Sequence, residues 1–104
     1  MANNNHKISQ LYNYFNSYLV NKIYKILPLY EESNKTLPMY IDSLLIEAVG
    51  LSDIIDINNS SYISLLATLG GIKREVQEDN NKNIIRRETF KCIDISKNIA
   101  ETIE

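Results

Sequence analysis

The sequence predicts an all-α chain: a single-domain antiparallel bundle of four main helices. Three observations predict it. Apolar residues recur at spacings of three and four over four separate stretches, as one face of an α-helix requires. Three glycines and two prolines are the only strong punctuation, and Pro28, Pro38 and Gly50 fall at or near the limits of those stretches. The one segment that could be a strand, with Ile54, Ile55 and Ile57, has no second strand to pair with. A chain of 104 residues is long enough for one domain and not two, and it can bury a core without metal or disulfide.

Residues 1–7 read as a flexible, Asn-rich tail, and 8–104 as the bundle domain. The first helix runs from Ile8 to Leu27. Its inward stripe is Ile8, Leu11, Tyr12, Phe15, Leu19, Ile23 and Ile26. Pro28 ends or kinks it, because the ring blocks the preceding turn. Leu29 to Lys35 is a connector with one helical turn at Leu29 to Glu32.

The second helix spans Pro38 to Val49. Thr36 is its expected cap, Pro38 sits in its first turn, and Ile41, Leu44, Leu45 and Ala48 point inward. Gly50 suits the left-handed position just past its end. Leu51 to Asn59 reads as a short helical turn packed on the core by its isoleucines.

The third helix is capped by Ser60 or Ser61 and continues to Glu78. Its stripe is Tyr62, Leu65, Leu66, Leu69, Ile72 and Val76. Gly70 and Gly71 lie inside it. They mark either close helix packing or a weak point, worth about 1 kcal/mol each relative to alanine. Asp79 to Asn81 form the next turn. The fourth helix runs from about Asn83 nearly to the end, with Ile85, Cys92 and Ile99 one heptad apart and Thr89, Ser96 and Ile103 beside them.

Composition excludes several classes. The net charge of −2 is too balanced for a polybasic nucleic-acid binder and too small for a DNA mimic. Frequent Ile, Asn, Lys and Tyr are the residues of AT-rich codons, as in low-GC bacteria and their phages and plasmids. Cys92 is the only cysteine, so no intramolecular disulfide forms, and a reducing compartment is expected: the cytoplasm, or the host's cytoplasm for a phage-encoded chain. Met1 to Lys7 lacks the apolar core of a signal peptide. The longest apolar stretch, Leu44 to Leu51, is short and broken by Glu47, so no membrane span is expected.

Chemistry-bearing patterns are thin. One His and one Cys cannot make a structural zinc site, and no Glu-x-x-His pair or EF-hand loop occurs. No cofactor or metal is expected. Cys92 lies on an apolar stripe and reads as a packing residue. Gly70-Gly71-Ile72-Lys73 lacks the remainder of a phosphate-cradling signature and lies within a helical pattern. Glu31 and Glu32 read as a solvated turn. No catalytic residue is assigned, and the chain is not expected to be an enzyme. The stretch Ile46 to Ser52 invites comparison with a helix-turn-helix turn. It holds Ile46 and Asp56 where small and apolar residues belong, and Asp53 and Asp56 would repel phosphates.

The remaining signal is surplus apolar surface. Tyr14, Val20 and Tyr24 fall outside the first helix's stripe, and Ile84 and Phe90 outside the fourth's. Either helices on two sides bury them or they anchor a partner, a role tyrosine suits. With Arg86 and Arg87 on the fourth helix, they give a candidate partner-binding set: Tyr14, Tyr24, Ile84, Arg86, Arg87 and Phe90. The expected function is a non-catalytic protein-binding regulatory module. One specific form is a phage or mobile-element inhibitor that sterically blocks a host defence protein. Two alternatives are a dimeric nucleic-acid-binding regulator using Lys73, Lys82, Arg86 and Arg87, and a structural homo-oligomer closed through the first and fourth helices.

Overall fold

The computed structural model describes residues 2–52, 55, 59–78 and 82–103, with side chains from residue 8 onward. Among them no strand occurs. The helices are α1 (Ala2–Asn13), α2 (Leu19–Tyr24), α3 (Ile26–Glu31), α4 (Leu37–Val49), α5 (Ser60–Gln77) and α6 (Lys82–Thr102). A π-helical turn, Tyr14–Tyr18, joins α1 to α2. The backbone is thus helical from Ala2, ahead of the Ile8 that periodicity gives.

The segment from α1 to α3 acts as one long arm, and the all-α antiparallel bundle follows from its contacts. Along the arm, Phe15 meets Ser96, Tyr24 meets Phe90 and Glu31 meets Lys82, so residue numbers rise on the arm as they fall on α6. Tyr40 reaches Lys22 from α4 in the same opposed sense that brings Glu47 to Tyr14. Helix α4 runs against α5 through Tyr62 to Ala48 and Lys73 to Asp42.

The π turn is the feature that uniform periodicity misses. The Leu19 N–H, which an α-helix would direct to the Phe15 carbonyl, goes to Tyr14 instead. The Ser96 hydroxyl donates to the Phe15 carbonyl at 2.6 Å, in a fully buried contact. One extra residue in the turn shifts the helical phase upstream by one position, about 100°. The core therefore takes in Phe15 completely and part of Tyr14, and Ile8 is left exposed.

Past Tyr24 the helix breaks at Lys25 and resumes at Ile26, so the break comes ahead of Pro28, which lies inside α3. The C-terminus of α3 is closed by Ser33 in the left-handed region, φ 55°. Ser33 N–H donates to the Tyr30 carbonyl and Asn34 N–H to the Leu29 carbonyl, the paired bonds that finish a helix around a left-handed residue. Gly50, expected in that conformation, has φ −60° and simply extends the right-handed turn after α4. Thr36 does not cap α4 through its side chain: its N–H and hydroxyl both donate to Asn34 Oδ1.

Four of the expected stripes survive as core. In α4, Ile41, Leu44 and Ala48 are buried with Leu37 added. In α5 they are Tyr62, Leu65, Leu69 and Ile72. In α6 they are Ile85, Cys92 and Ile99, joined by Thr89, Ser96, Ile93 and Ala100. On the arm, Leu19, Ile23 and Ile26 are buried together with the off-stripe Val20. Thr89 bonds back to the Ile85 carbonyl, so its buried hydroxyl is satisfied locally. Asn59, rather than Ser60 or Ser61, caps α5, accepting from the Ser61 and Tyr62 N–H groups. Ile55 packs on the core and its N–H reaches the Leu51 carbonyl, a helical bond. Ile54, Ile57 and the Asp79 to Asn81 turn lie outside the described residues.

Nothing lies within 4 Å of a Cβ built on Gly70 or Gly71. The weak-point reading holds and close packing does not. Gly70→Ala and Gly71→Ala should each raise unfolding free energy by about 1 kcal/mol in urea titrations, by removing glycine's unfolded-state freedom. A loss of stability would place unseen atoms against these positions.

Candidate partner-binding surface

The six residues singled out by sequence are divided among three places. Tyr24 and Phe90 meet edge to face, ring centres 5.9 Å apart, and both are exposed. Arg86 is exposed and lines a small recess with Leu27, Pro28 and Tyr30. Arg87 is exposed, 3.8 Å from Glu88. Ile84 belongs elsewhere, in a shallow recess with Ala67, Thr68 and Gly71 of α5.

Tyr14 is turned inward by the π turn. Its ring packs edge-on to Phe15 and stacked with Tyr18, at 5.0 and 5.5 Å between centres. Its hydroxyl is buried with no formed hydrogen bond, although the Glu47 carboxylate stands beside it. Burial first, and then that carboxylate, push the phenol well above its ordinary pKa. Burial does the same for Tyr62, whose hydroxyl donates to the Ala48 carbonyl, and for Tyr40, whose hydroxyl donates to the Lys22 carbonyl.

The most exposed apolar residues lie on a surface that the sequence reading passed over. Met39 and Ile46 of α4 are 72% and 73% exposed. They stand two turns apart on one side of the helix, opposite the buried Ile41, Leu44 and Ala48. Val49 and Ile63 are exposed on α4 and α5, and Tyr18 is exposed beside Tyr40. Apart from the Tyr40 hydroxyl, the only polar side chains in α4 are Asp42, Ser43 and Glu47. A helix apolar on both sides is the pattern of one covered on both sides. The signal was readable: Met39 and Ile46 fall off the α4 stripe just as Tyr24 and Phe90 fall off theirs.

Comparison with known proteins finds no matching family model, no matching curated protein and no matching solved structure.

Among the described residues no group of three or more His, Cys, Asp or Glu side chains is placed to hold a metal ion, and no helix is long and apolar enough to cross a membrane. A recess of about 620 Å³ is open and lined by Tyr30, Asn34, Lys35 and Leu37, with Lys82 opposed by Glu31. Cys92 is fully buried, and burial, with Glu88 adding, pushes its thiol up to about 12.

A thiol held neutral is a poor nucleophile. Native chain at pH 8 should react with a disulfide reagent far more slowly than unfolded chain, by orders of magnitude. Because the folded pKa is raised, the stability this group contributes is fully present below about 9 and is lost as pH rises toward about 12. Chemical melts across that range check the sign; stability that rises with pH there would contradict it.

Proposed function

We infer that this chain is a non-catalytic protein-binding module whose main contact surface is the outer face of α4. The observation that carries the reading is the pair Met39 and Ile46, both nearly three-quarters exposed on the side of α4 turned away from the core. Monomeric proteins seldom leave contiguous apolar surface uncovered, and such patches mark interaction sites. Val49, exposed on the same helix, supplies further apolar area of the kind found at interfaces. A small rigid bundle with such a face needs no chemistry to regulate a partner: it acts by covering a surface the partner needs, which is how a steric inhibitor works.

The nucleic-acid alternative draws on Lys73, Lys82, Arg86 and Arg87. Lys73 is engaged by Asp42, Lys82 stands 3.8 Å from Glu31, and Arg87 stands 3.8 Å from Glu88, so three of the four have a carboxylate neighbour, and the fourth is Arg86. The exposed Tyr24 and Phe90 pair is a smaller second contact surface.

The test uses tagged native chain, a Met39→Ser/Ile46→Ser variant and a Tyr24→Ser/Phe90→Ser variant, each expressed in cells that encode the protein. The α4 variant should keep its melting behaviour, within about 0.5 kcal/mol, because the replaced side chains are solvated. It should lose the protein partners that co-purify with native chain, while the Tyr24/Phe90 variant keeps most of them. Equal recovery by all three would sink the assignment to α4.

A further inference from the structure

We draw no further inference here: the strongest candidate, the apolar outer face of α4 around Met39 and Ile46, is the surface already proposed for recognition, and nothing in the structure shows what covers it.

Discussion

The bundle is organised around one buried contact, the Ser96 hydroxyl on the Phe15 carbonyl within the π turn of the arm. A widened turn displaces the helical hydrogen-bond ladder and leaves a carbonyl that must find a donor, since an unpaired buried polar group costs about 1–3 kcal/mol. Ser96 supplies that donor from α6 and so ties the arm to the longest helix at a single register. Everything set by that register follows: Phe15 fully inside, Tyr24 against Phe90, and the end of α3 near the start of α6.

The same turn decides which aromatic residues can meet a partner. By rolling Tyr14 toward α4 and α5, it builds a tyrosine layer with Tyr18, Tyr40 and Tyr62, where three of the four are held well protonated by burial. Tyr14 then supports the underside of α4, next to Glu47, and leaves the outward contacts to α4 itself. Helix α4, which carries the surface proposed for recognition, is held in place by α5 through the Tyr62 to Ala48 and Lys73 to Asp42 bonds. Preorganisation of that kind lowers the entropy lost on binding.

Much of this architecture was legible in the sequence because three of the helices obey simple rules. The stripes of α4, α5 and α6 predict their buried faces nearly residue for residue, since those helices hold a uniform 3.6-residue period. The arm did not follow, because no residue type in Tyr14 to Tyr18 announces a π turn; Asn16 and Ser17 are weak helix formers and nothing more. The left-handed closure fell to Ser33 and not to Gly50 because the bonds to Leu29 and Tyr30 hold the turn, which a glycine count cannot show. Of the six candidate contact residues, Tyr24 and Phe90 are found together, while Arg86, Arg87, Ile84 and Tyr14 have other neighbours. Met39 and Ile46 were visible as off-stripe residues of α4. Their weight came only with the knowledge that no other helix of the described chain covers them.

The inward placement of Tyr14 is the claim that follows from the register of the arm, and tyrosine nitration mapped by mass spectrometry tests it most directly. In native chain at mildly alkaline pH, Tyr18 and Tyr24 should be modified readily, and Tyr14 and Tyr62 should be protected until the chain is unfolded. Nitration of Tyr14 as fast as Tyr24 in folded chain would contradict the account, and would return Tyr14 to the outer surface.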